Sequence, residues 1–258
     1  MEKSKDVKDL LAGYLRELHL PAFRSSYEEL ARQAQQEGLS FEQYLLGMAQ
    51  RECQERRNKR VERLLHDSRL PLEKSWPSLE LKRLPTKVVQ QARTLLEGSF
   101  VDRHENVLVF GSVGSGKTHL LAGIAQELVR AGRKVLFTTC SLLVQELLIA
   151  KRDLKLSRVL KRLSGYGVLV IADLGYVQQS REEMEVLFTL LAERYERGSV
   201  MLTSNLPFSQ WEQIFKDPMT TAAAIDRLVH HCVIVELNVP SYRVEQAKKT
   251  RPTPPATE

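Results

Sequence analysis

The sequence predicts an α/β fold in which a mostly parallel sheet is covered by helices on both faces, preceded by a small all-helical N-terminal module. Three observations support this prediction. From Asn106 onward, short apolar runs alternate with helical patterns, as in sheets built from strand–helix–strand units. A glycine-rich loop separates the first of these runs from a helical pattern. The first 75 residues, in contrast, show only helical periodicity.

Residues 1–75 are predicted to form the helical module, which would bind DNA or a partner. Its first helix has one apolar face and ends before Pro21; the face comprises Val7, Leu10, Leu11, Tyr14 and Leu18. Ser40 and Gln43 stand in capping-box register at the start of a long, charged helix. Prolines between Pro71 and Pro85 then break the periodicity, so residues 76–100 are predicted to be a connector.

Residues 101–245 are predicted to form the main domain. Its five strands are predicted from the runs NVLVFG, KVLFTT, GVLVIA, SVMLTS and CVIVEL. The helix after Lys117 should end at Gly132, and the helix that opens with Ser180 and Glu183 should end at Gly198. Residues 246–258, which include RPTPPATE, are expected to be a disordered tail.

Composition limits the class of protein. A length of 258 residues suffices for one α/β domain and a smaller module, and the net charge of +6 is compatible with a polyanionic partner without requiring one. The three cysteines are odd in number and form no Cys-x-x-Cys pair, which argues against a disulfide framework or a zinc site. No apolar run has the length of a membrane span and no signal-peptide pattern is present, so we expect a soluble cytoplasmic protein with no membrane partner.

The segment GSVGSGKT matches the phosphate-binding loop pattern G-x-x-x-x-G-K-[ST], and it lies between a predicted strand and a predicted helix. Its backbone N–H groups can surround the phosphates of ATP, Lys117 can supply a fixed positive charge, and the Thr118 hydroxyl can ligate Mg²⁺. The competing interpretation is an ordinary glycine-rich turn. The predicted nucleotide-binding residues are Gly111, Ser112, Val113, Gly114, Ser115, Gly116, Lys117, Thr118 and His119.

Three further residues are candidates for catalysis beside Lys117. Asp173 ends a buried strand and could hold Mg²⁺ and orient the attacking water, or it could only cap a backbone N–H. Asn205 ends the next strand and could face the γ-phosphate, or it could be a turn residue before Leu-Pro. Arg227 could be an arginine finger that acts on a neighbouring subunit's nucleotide, or it could form a surface salt bridge with Asp226.

A basic stripe is predicted on the segment AKRDLKLSRVLKRLSGYG. Lys151, Lys155, Arg158 and Arg162 would share one face if the segment were a single helix. Such a face can follow a phosphate backbone, so these four residues are candidates for DNA binding. An ordinary solvated helix face remains the alternative.

The chain resembles the IstB-like ATPases, the helper proteins of insertion-sequence transposition in the AAA+ clade that also contains the DnaC-type helicase loaders. The resemblance spans nearly the whole chain and rests on the helical module and on the segments GSVGSGKTHLLAGIA, LGY, EEMEVLFTLLAERYERGS, LTSNLPFSQWEQIF, MTTAAAIDRLVHH and VPSYR. It implies a P-loop AAA+ core that uses ATP and Mg²⁺. It also implies that Asn205 is sensor 1, that Arg227 is the finger and that Arg243 is a sensor 2-like residue.

The resemblance further implies the partners and a defect in the hydrolytic site. The partners would be duplex DNA, the transposase of the same insertion sequence and further copies of the chain in a ring or filament. The family pattern has two acids before a hydrophobic residue and Gly-Tyr; aligned on Leu174, this chain has Ala172 at the Mg²⁺-organising position and Asp173 at the water-orienting one. A second register makes Asp173 the Mg²⁺ acid and Leu174 the missing base.

The sequence therefore predicts an ATP-dependent, DNA-binding transposition helper of the AAA+ type whose hydrolysis is impaired. Two alternatives stay open: a DnaC-like helicase loader, and a nucleotide-binding DNA scaffold without ATPase activity. A small-molecule kinase is the least favoured class, because no arginine-rich substrate lid is visible.

Overall fold

A computed structural model describes residues 2–176 and 180–250. The strands are β1 (Asn106–Gly111), β2 (Val135–Thr139), β3 (Val168–Leu174), β4 (Ser199–Ser204) and β5 (Cys232–Leu237). The helices are α1 (Glu2–Glu17), α2 (Pro21–Glu37), α3 (Phe41–Ser68), α4 (Thr86–Leu96), α5 (Ser99–Asp102), α6 (Lys117–Arg130), α7 (Cys140–Arg152), α8 (Leu156–Ser164), α9 (Arg181–Arg194), α10 (Glu212–Phe215), α11 (Pro218–Val229) and α12 (Tyr242–Thr250).

The five strands form one sheet in the order β2-β3-β4-β1-β5, and every neighbouring pair is parallel. The carboxyl ends of the strands therefore meet at one edge of the sheet. Each strand coincides with a predicted apolar run to within two residues. The predicted α/β fold with a parallel sheet is confirmed.

Two hydrophobic clusters cover the two faces of the sheet. Along β1 the side chains alternate between them, because successive residues of a strand point to opposite faces. Leu108 belongs to the cluster formed with α7 and α9, whereas Val107 and Val109 belong to the cluster formed with α6. Helices on both faces bury the central strands β3 and β4 almost completely, which explains their continuous apolar runs in the sequence.

The chain divides into two compact units, Met1–Arg63 and Leu64–Glu258. In the first unit, the buried carboxylate of Glu52 accepts hydrogen bonds from the backbone N–H groups of Ala22 (2.9 Å) and Phe23 (3.4 Å) and from Arg56 Nε (2.8 Å). Burial raises the pKa of Glu52, but these hydrogen bonds outweigh burial and lower it below its usual value. Glu52 therefore caps the start of α2 as a carboxylate.

The predicted apolar face of α1 exists but is largely solvent-exposed within the described structure. Its five side chains are between 39% and 65% exposed: Val7, Leu10, Leu11, Tyr14 and Leu18. The predicted capping box at the start of α3 is confirmed, because Ser40 and Gln43 exchange backbone-to-side-chain hydrogen bonds of 2.8 and 3.2 Å.

The second unit begins earlier than the predicted boundary near residue 75. Leu70 is buried in the cluster around α6, and Leu64 and Leu65 pack against it. Helix α4, which falls in the predicted connector 76–100, buries Val88 and Ala92 in the same cluster. Residues 71–100, which the name connector denotes from here on, are therefore part of the second unit, because their apolar side chains complete that unit's core.

Helix α9 opens with the predicted capping box of Ser180 and Glu183 but ends at Arg194 rather than at Gly198. The buried guanidinium of Arg194 donates hydrogen bonds to the carbonyls of Leu163 (3.0 Å) and Ser199 (3.0 Å), which ties α8 to β4. Burial lowers the pKa of Arg194 to about 10. Gly198 leaves room for this guanidinium, since an added Cβ would stand 2.6 Å from Arg194 Nη2.

The predicted tail is in part helical. Helix α12 continues to Thr250, so residues 246–250 are not an unstructured tail, while residues 251–258 lie outside the described residues. Among the described helices, none combines the length and the apolar character needed to cross a membrane.

Candidate nucleotide-binding site

The loop between β1 and α6 has the conformation that its glycines predict. Gly114 and Gly116 have φ angles of 80° and 97°, in the left-handed region that favours glycine. An added Cβ on Gly116 would meet no atom within 4 Å, so this part of the loop borders open space. Ser115 Oγ is buried and has no hydrogen-bond partner among the described residues. The loop thus offers both space and an unpaired polar group to the phosphates of a nucleotide.

Lys117 is the charged residue of this loop and is 6% exposed. Its Nζ donates hydrogen bonds to the carbonyls of Gly111 (2.8 Å) and Ser112 (2.9 Å). Burial lowers the pKa of Lys117, the nearby charge of Arg243 lowers it further, and the carboxylate of Asp173 raises it. The three charged groups are therefore close enough to influence one another, as a site for a phosphate and a metal ion requires.

A cavity of about 360 Å³ lies beside the loop. Residues 114–119 form one wall, and Asp173 and Arg243 also line the cavity. The remaining walls were not predicted from the sequence: the connector contributes Lys74, Ser78, Leu79, Glu80, Arg83 and Leu84, and other segments contribute Tyr176, Val239 and Tyr242.

The connector is held against one face of α6. Gln126 Nε2 donates hydrogen bonds to the carbonyls of Pro71 (3.0 Å) and Lys74 (3.2 Å). One turn earlier, Gly123 allows close approach, because an added Cβ would lie 3.0 Å from the backbone nitrogen of Trp76. The positions of Gly123 and Gln126 within a helix pattern are the signal that could have indicated this docking surface.

His119, which was predicted to bind the nucleotide, also belongs to this surface. Its Nε2 lies 3.1 Å from the carbonyl of Ser75 and 3.0 Å from the hydroxyl of Ser78. The imidazole lines the cavity and anchors the connector there. Its hydrogen bonds assign it a structural role in forming the cavity.

The C-terminal segment, residues 239–245, lies at the end of the cavity beside the P-loop. The backbone N–H of Tyr242 donates a hydrogen bond of 2.9 Å to the carbonyl of Gly114. Ser241 packs so closely that an added Cβ on Gly114 would stand 2.1 Å from its hydroxyl. This contact brings the next residue, Arg243, to the cavity, as its sensor 2-like assignment requires.

Asp173 reaches the cavity through an irregularity at the end of β3. The pairing of β3 with β4 shifts between Ile171 and Leu174, and Asp173 has a φ of 64°. Its backbone N–H donates a hydrogen bond of 2.9 Å to the buried Thr203 Oγ1. A β-bulge of this kind redirects one side chain, and here it turns the carboxylate toward the loop of Lys117.

The neighbours of Asp173 do not line the cavity. Ala172 is fully buried opposite Thr139 of β2. Leu174 is fully buried in the same hydrophobic cluster as Ile171. A carboxylate at either position would therefore enter a buried environment, and at position 174 it would also enter the hydrophobic cluster.

The structure does not bring Asn205 and Arg227 to this cavity as far as the described residues show. Asn205 Oδ1 is buried without a hydrogen-bond partner among them. The Arg227 guanidinium lies 4.8 Å from the centre of the Phe188 ring and donates a hydrogen bond to the Ala223 carbonyl. It forms no ion pair with Asp226 or another described acid.

The predicted basic stripe assumes that its four residues lie on a single helix, and this assumption is wrong. Helix α7 ends at Arg152, Leu154 adopts a left-handed φ of 57°, and α8 begins at Leu156. Three of the four basic residues face acids: Lys151 pairs with Glu185, Lys155 with Asp153 and Arg162 with Glu146. Arg158 has no hydrogen bond or ion pair from its side chain within residues 2–176 and 180–250.

The family described as "IstB-like ATP binding protein" matches residues 13–250 of the chain. The chain belongs to this family. An insertion-sequence ATP-binding protein of Sinorhizobium fredii is 39% identical over 94% of this chain and 83% of its own length. An insertion-sequence ATP-binding protein of Geobacillus stearothermophilus is 32% identical over 94% of this chain and 96% of its own length.

The solved structures that resemble this IstB-like chain include DnaA and DnaI. The replication initiator DnaA bound to AMPPCP and single-stranded DNA has a TM-score of 0.57 at 16% identity, covering 70% of this chain and 56% of that chain. DnaI has a TM-score of 0.52 at 24% identity, covering 65% of this chain and 89% of that chain. The predicted P-loop AAA+ core is confirmed at the level of the fold.

A matched pair of glycine substitutions tests whether the phosphates of ATP bind beside Gly116. Gly116 and Gly132 both have left-handed φ angles, 97° and 85°, and an added Cβ meets no atom within 4 Å at either. Gly116→Ala and Gly132→Ala should therefore each lower the free energy of unfolding by about 1 kcal/mol. Only Gly116→Ala should weaken ATP binding, by about tenfold or more, or about 1.4 kcal/mol, in a titration with a fluorescent ATP analogue. Equal ATP affinities of Gly116→Ala and Gly132→Ala would contradict the placement of the phosphates beside Gly116.

Proposed function

We propose that the protein is an ATP-dependent, DNA-binding transposition helper that assembles on target duplex DNA and recruits or stimulates the transposase of the same insertion sequence. The observation that carries this proposal is the cavity formed by the P-loop, the connector and the C-terminal segment, in a chain of the IstB-like family. The names of its relatives, insertion-sequence ATP-binding proteins, support the biological setting.

ATP would act chiefly as an assembly switch. Lys117 and the loop amides would hold the phosphates, and Thr118 and Asp173, two of the oxygen donors that line the cavity, would hold Mg²⁺. The bound ion would neutralise phosphate charge. Arg227 does not line its own subunit's cavity, which is compatible with a finger that completes a neighbouring subunit's site.

Hydrolysis would be slow because only one of the two acids of the family pattern is present. Asp173 is the carboxylate that the bulge directs into the cavity, and Ala172 offers no oxygen. With one carboxylate for two tasks, metal organisation and water orientation compete. Asn205, whose amide oxygen is buried and unpaired among the described residues, is the polar group that would join this site as sensor 1.

DNA binding is assigned to the basic residues of the α7–α8 region. Lys151, Lys155 and Arg162 are exposed and held by acids, so they would have to exchange these partners for phosphates. Arg158 needs no such exchange. We therefore assign the strongest single contact of this group to Arg158.

A DnaC-like helicase loader is the second candidate, because DnaI and a DnaC helicase loader share the fold with TM-scores of 0.52 and 0.51. Capture by the full chain with ATP separates the two functions. The helper requires retention of the transposase encoded beside it, and the loader requires retention of a replicative helicase.

Lys117→Ala should abolish ATP-dependent assembly on DNA. Because the substitution removes the buried cation of the loop, ATP affinity should fall by about tenfold or more. Binding to duplex DNA, measured by fluorescence anisotropy, should then be the same with and without ATP. Lys87→Ala, an exposed residue on α4, is the control with the same loss of charge. Undiminished ATP-dependent DNA binding by Lys117→Ala would contradict the switch.

Arg158→Ala should weaken binding to duplex DNA of any sequence. For each phosphate that the variant no longer neutralises, the slope of log affinity against log salt should decrease by about 0.9. Arg197→Ala removes one charge from an exposed side chain in the turn before β4 and should leave the slope unchanged. An identical slope for Arg158→Ala and the wild type would show that Arg158 contacts no phosphate and that α8 has an ordinary solvated face.

Ala172→Asp should raise the steady-state ATPase rate by about tenfold or more, equivalent to about 1.4 kcal/mol of barrier, because it restores the second carboxylate. The gain should disappear in Ala172→Asp, Asp173→Asn. Leu174→Glu should instead lower stability without a gain in rate, since it would place a carboxylate in the hydrophobic cluster that contains Ile171. A higher rate for Leu174→Glu, with no change for Ala172→Asp, would show that Asp173 is the metal-organising acid.

A further inference from the structure

Arg83 joins two walls of the cavity, the connector and the C-terminal segment. It ends a short 3₁₀ turn, Leu81–Arg83, in the connector, and its side chain is 23% exposed. The guanidinium contacts three groups of the C-terminal segment. Nη2 donates hydrogen bonds to Glu245 Oε2 (2.7 Å) and the Pro240 carbonyl (3.3 Å), and the guanidinium carbon lies 4.9 Å from the centre of the Tyr242 ring.

No other hydrogen bond or ion pair in the described structure joins the connector wall, residues 74–84, to residues 239–245. A guanidinium suits this position because its planar group can pair with a carboxylate, donate to a carbonyl and stack on an aromatic ring together. Its partial burial strengthens these contacts relative to those of a freely solvated pair.

The residues that Arg83 contacts lie on both sides of Arg243 in the sequence. Tyr242, which immediately precedes Arg243, stacks with Arg83, and Glu245 lies two residues after it. The Arg243 side chain forms no hydrogen bond or ion pair within the described part of the chain, yet it lines the cavity and lowers the pKa of Lys117. Its position at the phosphate end therefore depends on how the start of α12 is held.

We propose that Arg83 is a positioning residue that holds the start of α12 against the P-loop and thereby places Arg243 at the phosphate end of the cavity. The inference rests on the proposed binding of ATP in this cavity. Arg83 thereby links the connector to nucleotide affinity. Movement of the connector away from the C-terminal segment would break the contacts of Arg83 and leave Arg243 held only through the contacts of Ser241 and Tyr242 with Gly114 among the described residues.

The experiment measures the affinity of the full chain for a fluorescent ATP analogue. Arg83→Met keeps much of the aliphatic stem but removes the charge, and Glu245→Gln weakens the same pair from the other wall. Lys82→Met is the matched control, because Lys82 is exposed on the same turn and carries the same charge. Melting temperatures establish that each variant is folded.

Arg83→Met and Arg243→Ala should each weaken binding by about fivefold to tenfold, Glu245→Gln should do so by a smaller factor, and Lys82→Met should match the wild type. Since Arg83 acts through Arg243, the double variant Arg83→Met, Arg243→Ala should bind within about twofold of Arg243→Ala alone. Arg83→Lys, which retains the charge, should recover part of the affinity.

Two results would overturn the inference. Wild-type affinity for both Arg83→Met and Glu245→Gln would show that the contact does not position Arg243. Losses that multiply in the double variant would show that Arg83 contacts the nucleotide directly. Absence of ATP binding by the wild-type chain would contradict the proposed function itself and remove the inference with it.

Discussion

The side-chain amide of Gln126 donates hydrogen bonds to the carbonyls of Pro71 and Lys74, and the nucleotide cavity depends on this docking. It fixes the connector along α6, where Gly123 permits backbone contact with Trp76. Without the connector, the P-loop would border solvent on that side rather than a cavity of about 360 Å³. The helix that follows the phosphate loop therefore also carries, about two turns after its start, the residues that hold the connector wall.

A few backbone contacts also position the charged groups of the cavity. The parallel sheet brings the ends of β1 and β3 to one edge, and the bulge at Asp173 turns a carboxylate toward Lys117. Tyr242 fastens the C-terminal segment to Gly114, which brings Arg243 to the same place. Four segments distant in sequence thus converge on one cavity, and each is held by backbone hydrogen bonds or close packing.

Much of this could be predicted from the sequence because it depends on local patterns. The strands were predictable since β-branched runs such as Val168–Leu174 are buried on both faces, and the P-loop was predictable since its glycines and Lys117 follow a fixed spacing. The break between α7 and α8 was missed because a left-handed non-glycine residue, Leu154, leaves no signal in the periodicity. The end of α9 at Arg194 and the docking of the connector depend on tertiary hydrogen bonds, which local patterns do not contain.

The central claim is that ATP in this cavity assembles the protein on duplex DNA. Electron microscopy of the full chain on linear duplex DNA, with ATP, with ADP and without nucleotide, tests it most directly. Rings or filaments of many subunits should form on DNA with ATP, and isolated or unbound subunits should be seen in the other two conditions. The same assemblies in all three conditions, or none with ATP, would contradict it.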